Sequence, residues 1–241
     1  MKYTFDYAKL YAALWAFGYE TLNLGGTEGL YRTIFDLGTK HLKGASSKNI
    51  LEIGCGVGRS IRDFANYYPE ACIYGFDRSE SMIEVATMIL LNPSSGMLSV
   101  DLNNRGFGEI LVPCNNLENV ELWQSCFTKD TKLEKLNGKC DLLICSNVLD
   151  RVDDIDSFLN RIGLLLSPKG GLILITPANW QSKEAWKRFY SHEDIFKVVE
   201  QCCKINIKEH FYNVPYIEIL DRNGAHERYD LNVIYGYKNL L

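Results

Sequence analysis

The sequence predicts an α/β fold: a doubly wound, mostly parallel, seven-stranded sheet with an antiparallel C-terminal strand. Three observations carry that expectation. From residue 49 onward, short apolar runs alternate with helical patterns, as parallel strands joined by crossover helices require. The first run, "NILEI", leads straight into "GCGVGRS", a glycine-rich turn after a buried strand. The last two apolar runs alternate well enough to pair with each other at one edge.

Residues 1–45 come first, rich in Tyr and Gly ("FGYETLNLGGTEGLYRTIF"), and read as a helical cap broken at Gly25-Gly26. The sheet-bearing domain follows over 46–241. Strands are expected at 49–53, 72–76, 119–123, 141–145 and 171–176, with helices at 57–67, 80–91, 153–166 and 191–202. "SHED" at 191–194 has capping-box spacing, with Ser191 as N-cap and Asp194 reaching back. Pro168-Lys169-Gly170-Gly171 predicts a break before the fifth strand. Residues 92–118 exceed a normal connection, and "MLSVDLNNRGFGEILVPC" holds two strand-like runs. An inserted β-hairpin at about 96–114 is predicted there, with a lid as its natural use. "KINIKEHF" at 204–211 and "YDLNVIYGYK" at 229–238 complete the sheet.

Composition narrows the function classes. The 241 residues are 46% hydrophobic and 23% charged, which supports a globular core. A net charge of −4 and the lack of a long Lys/Arg block disfavour a nucleic-acid partner. No apolar run reaches the length of a membrane span. Eight cysteines include no CxxC pair, so no metal site is expected. With no signal-peptide pattern, they read as reduced, mostly buried thiols of a cytoplasmic protein. Oligomeric state is left open.

The glycines pose the functional question. A strand, glycine loop and helix suit either a dinucleotide or another cofactor that lies on bare backbone. Dinucleotide sites use G-x-G-x-x-G, whereas here the glycines are Gly54, Gly56 and Gly58 and the third position of that pattern is Arg59. Glu52 stands just before the loop, where it would repel a pyrophosphate but attract an ammonium group. That chemistry matches the methionine end of S-adenosylmethionine. Asp77, at the end of the next strand, is placed to take ribose hydroxyls.

"LEIGCGVG", then "FD" followed by "SESMIEVA", then "CDLLICSNVLDRVDD" before "LSPKGGLILIT" resemble, in order, the motifs of class I S-adenosylmethionine-dependent methyltransferases. The resemblance covers roughly 48–210 and implies a Rossmann-like fold with S-adenosyl-L-methionine as cofactor. It implies cofactor contacts from Glu52, Gly54, Cys55, Gly56, Gly58, Asp77, Arg78, Met82, Cys126, Phe127, Ser146 and Asn147. Cys126 stands where that family commonly carries an acidic residue near adenine, leaving backbone amides and the Phe127 ring to hold the base. Many relatives have a His after the fourth strand; here Asp150-Arg151 stands instead. Asp150 is read as a proton or hydrogen-bond acceptor and Arg151 as a partner for a substrate carboxylate; otherwise the two cap the next helix and pair with each other.

"SNVLDRVDDIDSFL", "ITPANW" and the ending "VPYIEILDRNGAHERYDLNVIYGYK" resemble the methyltransferase domain of ovothiol synthase, which methylates an imidazole nitrogen of thiohistidine. That resemblance places Arg222 and His226 toward the substrate. Tyr7, Tyr11, Tyr19 and Tyr31 are candidate walls of a small-acceptor pocket, or else a helical apolar stripe. The expected activity is methylation of a small-molecule acceptor, at an amine or imidazole nitrogen of an amino-acid-like compound. The alternatives are a natural-product O-methyltransferase, a protein N-methyltransferase, or a non-catalytic binding subunit.

Overall fold

The computed structural model describes residues 4–18, 28–44, 48–94 and 96–238. Gly25, Gly26 and Tyr19 lie outside the described residues. The main sheet has seven strands: β1 (Asn49–Ile53), β2 (Cys72–Asp77), β5 (Val120–Gln124), β6 (Cys140–Ser146), β7 (Leu166–Thr176), β8 (Ile205–Ile219) and β9 (His226–Lys238). They are ordered β5-β2-β1-β6-β7-β9-β8, and only β9 runs against the others. The expected Rossmann-like, doubly wound fold is thus the observed one. The strand order reverses between β1 and β6, and a crevice opens at such a switch point beyond the carboxyl ends of the strands. Glu52, Asp77 and Ser146 stand at those ends.

Strand alternation sorts the core into two layers. Ile50, Ile144, Ile173 and Ile175 face one side, packing with α3 (Arg59–Tyr67) and α4 (Glu80–Leu90) through Ile61, Phe64 and Val85. Leu51, Leu143, Leu172 and Leu174 face the other, against α5 (Ile155–Leu165) and α7 (His192–Cys203) through Phe158, Ile162, Ile195 and Val199. The capping box at Ser191 and Asp194 starts α7 as the sequence predicts. Asp154 caps α5 by accepting the Ser157 amide at 3.0 Å, so Asp150 is not that helix's cap.

Three features differ from expectation. The Pro168–Gly171 segment does not end the pairing; β7 starts at Leu166 and takes up the irregularity as a register shift against Cys140 and Leu142. A short helix, α6 (Lys183–Arg188), stands where no element is expected. The final strands also run well past the predicted ends, meeting in a long hairpin that pairs as far as Ile219 with His226.

The cap is helical: α1 (Phe5–Leu10) widens into a π-helical turn over Tyr11–Ala16, and α2 (Glu28–His41) follows. Its residues Leu14, Trp15 and Phe17 are buried in the same layer as α3 and α4, so this segment is part of the core. The inserted hairpin forms as predicted from β3 (Met97–Leu102) and β4 (Gly108–Pro113), burying Val100, Leu102 and Val112 in that layer. His41, a histidine of the cap, is structural, with its ring nitrogens 2.9 Å from the Tyr235 hydroxyl and 3.0 Å from the Asp141 carbonyl.

Candidate active site at the sheet switch point

The three glycines of the loop serve different ends. Gly54, Gly56 and Gly58 all hold positive φ, at 70°, 54° and 81°. A Cβ on Gly54 would stand 2.4 Å from Val148 Cγ2, and one on Gly58 2.5 Å from Leu90 Cδ1, so both are bare because protein packs there. Gly56 meets nothing nearer than Tyr11 Cε1 at 3.8 Å; its bare backbone faces open space. Gly54→Ala is therefore expected to lose roughly 2–3 kcal/mol, from left-handed strain plus the Val148 clash, seen as a melting-temperature drop of about 5–10 °C. Gly56→Ala carries the left-handed strain without the clash, so it should melt only a few degrees lower, with a loss of cofactor affinity as its main effect. Equal melting losses in both variants would contradict this division.

Asp77 ties the loop to the next strand end. Its Oδ2 accepts the Gly56 amide at 3.1 Å and its Oδ1 the Ser79 amide at 2.8 Å. A carboxylate retains further lone pairs, so ribose hydroxyls can still be taken. Burial nevertheless pushes its carboxyl above the usual range, against those two amides and nearby Arg78.

Five buried polar side-chain atoms have no hydrogen-bond partner among the described residues: Glu52 Oε2, Ser60 Oγ, Asn147 Oδ1, Asp150 Oδ1 and Tyr216 Oη. Such atoms are costly unless a ligand or water meets them. Glu52 is 4% exposed, and burial pushes its carboxyl up to about 8, with Asp63 and Asp77 adding to the rise and Ser60 and the Ile61 amide opposing it. A buried carboxylate with a free oxygen beside a bare glycine backbone fits a cofactor ammonium group. Asn147, in the left-handed region at φ 56°, follows Ser146 at the end of β6 and anchors its own amide to the Ile175 carbonyl at 2.9 Å. Asp150 is 4% exposed, and its carboxyl is raised by burial, with Arg151 opposing. Burial pushes the Cys145 thiol up, and the carboxyls of Asp150 and Glu52 add to the rise.

The cap closes over this group. Arg59 forms an ion pair with Asp63 at 2.8 Å, donates to the Ala16 carbonyl at 2.8 Å, and lies over the rings of Phe17 and Tyr31. The residue that breaks the dinucleotide pattern thus straps the cap onto the glycine loop. Tyr11 and Tyr31 bring their hydroxyls within 3.4 Å, and burial pushes both above the ordinary tyrosine range beside Glu52. Tyr7 packs edge-on to Trp15 at 5.7 Å, which makes it part of the cap's apolar stripe.

Not every expected residue joins the site. Phe127 is a core residue: its ring stacks with Phe76 at 6.0 Å, meets Phe158 edge-on at 4.7 Å and lies under Arg161, which holds the Phe127 carbonyl. It is not the open adenine wall that the motif implied. Met82 is buried in α4, Cys55 beneath the loop, while Cys126 and Arg78 are exposed nearby. Arg222 and His226 are exposed on the β8–β9 turn rather than turned into the site; the Arg222 amide donates to the Arg105 carbonyl of the inserted hairpin at 3.0 Å. Sequence reasoning missed Tyr216 and Glu218 of β8, although the spacing in "PYIEI" puts them on one strand face.

Residues 28–213 match the family model described as methyltransferase domain. A ubiquinone biosynthesis O-methyltransferase of Bradyrhizobium sp. (strain ORS 278) is 26% identical over 155 residues, 64% of this chain and 48% of that protein. The chain thus spans about half the length of the curated relative it matches. Among solved structures, the YcgJ protein of Bacillus subtilis superposes with a TM-score of 0.56 at 14% identity, covering 87% of this chain and all of that one. Phosphoethanolamine N-methyltransferase 2 of Haemonchus contortus gives 0.58 at 14% identity, covering 98% of this chain and 58% of that one. These likenesses agree on the fold, and the matched span contains the glycine loop, Glu52 and Asp77. The chain belongs to the methyltransferase-domain family.

Proposed function

We propose that the protein is an S-adenosylmethionine-dependent methyltransferase that methylates a nitrogen, an amine or imidazole, of a small amino-acid-like acceptor. The observation that carries this reading is the cluster of buried hydroxyls of Tyr11, Tyr31 and Tyr216 with the carboxyl of Glu218 beside them, and Arg151 acting on both Glu218 and Asp150. Rings and carboxylates suit a nitrogen centre that gains positive charge as it accepts a methyl group. Arg151, which acts on both Asp150 and Glu218, is placed to meet an acceptor carboxylate. The solved N-methyltransferase of the same fold supports the reading no more than the O-methyltransferase relative opposes it, since neither shares enough sequence to carry an acceptor.

When bound, the cofactor supplies a methyl group already activated by its sulfonium. The chain's own residues have three tasks. Glu52 and the loop hold the amino-acid end of the donor, Asn147 and Asp150 face the transfer point, and the cap excludes water. Asp150 takes the proton that a neutral N–H nitrogen sheds after transfer.

Turnover with S-adenosylmethionine tests the proposal, using thiohistidine, histidine, simple amines and phenols with S-adenosylhomocysteine as readout. Methylation of thiohistidine or another nitrogen compound is expected; turnover confined to phenols would replace this reading with O-methylation, for which Asp150 would serve as base.

A further inference from the structure

We infer that Tyr216 and Glu218 of the C-terminal hairpin, with Tyr11 of the cap, form the subsite that selects the acceptor by its nitrogen-bearing group. This deepens the proposed function and rests on it. Tyr216 is 3% exposed, yet its hydroxyl has no hydrogen-bond partner among the described residues. Its neighbours are the hydroxyls of Tyr11 and Tyr31 and the carboxylate of Glu218. Tyr11 and Glu218 stand close enough to interact with it, yet neither makes a hydrogen bond of full geometry, so the buried hydroxyl keeps bonding capacity that a ligand can complete.

The architecture holds this group rigidly. The Trp15 indole donates to the Ile219 carbonyl at 2.8 Å, fixing the far end of β8 to the cap. Tyr216 packs against Tyr229 of β9, with ring centroids 6.1 Å apart, and the Tyr229 hydroxyl donates to Glu227 at 2.6 Å. Glu218 is therefore framed by Tyr216, Glu227 and Arg151. On the donor side, the Tyr11 ring lies 3.8 Å from where a Gly56 side chain would begin. Tyr11 thus bridges from the glycine loop to Tyr216. Its place in a π-helical turn, a form that recurs at functional sites, re-aims it from the regular helix path. Tyr11, Tyr216 and Glu218 also lie outside the 28–213 span that matches the family model, as residues that set an individual acceptor preference can.

The chemistry is that of an N–H or protonated nitrogen held by hydroxyl and carboxylate acceptors, with the aromatic faces around it. The test compares wild type, Tyr216→Phe and Glu218→Gln in steady-state kinetics with the nitrogen acceptor that wild type turns over, and in binding of histidine or imidazole to protein saturated with S-adenosylhomocysteine. The expected result is a KM rise of about 10-fold or more in each variant, with S-adenosylmethionine affinity unchanged, since a buried hydrogen bond to a charged group is worth about 1.5–3 kcal/mol. Tyr216→Phe should also melt at or above the wild-type temperature, because it deletes an unpartnered polar atom. That combination, a more stable protein with a weaker acceptor, is one that a purely structural tyrosine cannot give. Unchanged KM in both variants, with wild type active on nitrogen compounds, overturns this inference alone. A wild type that neither methylates nor binds any nitrogen compound overturns the nitrogen reading itself, and this inference with it.

Discussion

Binding of S-adenosylmethionine at pH 7 is expected to release close to one proton, and Glu52→Gln should abolish that release. Glu52 is buried with its carboxyl at about 8, so the cofactor-free protein carries it mostly protonated at neutral pH. An ammonium group seated on its free oxygen favours the carboxylate, and the proton leaves. Affinity should therefore climb as pH rises toward 8 and fall again above it, where the cofactor's own ammonium group loses its proton. Titration calorimetry in buffers of different ionisation enthalpy measures the proton directly. Removing the carboxylate as Glu52→Ala should weaken binding by at least about 30-fold, the lower end of what losing one partner of a buried charge pair costs. A proton count of zero in the wild type would show that Glu52 does not meet the ammonium.

The same group sets a stability trend of opposite sign in the cofactor-free protein. A carboxyl raised from its unfolded value of 4.5 to about 8 binds more protons folded than unfolded throughout that interval. Stability then falls as pH rises from about 4.5 to about 8, by up to about 5 kcal/mol from this residue, and is flat above. Cofactor-free protein should accordingly be more stable at pH 6 than at pH 8, and cofactor should shrink the difference.

Asp150→Asn is expected to lower kcat by about 10²–10⁴-fold, with S-adenosylmethionine affinity within a few-fold of wild type. Asparagine preserves the shape of the side chain while removing its ability to take a proton. Because burial raises the Asp150 carboxyl, wild-type rate should fall on the acid side at a pH above the usual carboxylate range. The variant's profile should lose that limb. Melting should hold or improve at neutral pH, since the amide replaces a buried carboxylate whose ionised form the fold disfavours. An active variant with an unaltered acid limb would return Asp150 to a purely structural place in its turn.

The donor half of the site is legible in the sequence because it is local. Glu52, the glycines and Asp77 fall within two adjacent strand ends, and the apolar runs that flank them mark those strands. The proposed acceptor half draws on Tyr11, Tyr31 and Tyr216, which only the fold brings together. The strand that carries Tyr216 hides itself: Asn213 and Pro215 are residue types that signal a loop. In the structure Pro215 is tolerated because β8 is an edge strand, and Asn213 lies in the irregularity between Phe211 and Val214. Phe127 errs the other way, since a motif position suggests a ligand wall where packing has already used the ring.

The cap and the long β8–β9 hairpin are tied to each other through Trp15 and Ile219, and the cap to the glycine loop through Ala16 and Arg59. Neither segment supplies the strand ends that carry Glu52, Asp77 and Ser146. On the acceptor subsite proposed above, a lineage that edits these two segments together changes which metabolite is modified while the inherited donor machinery stays as it is.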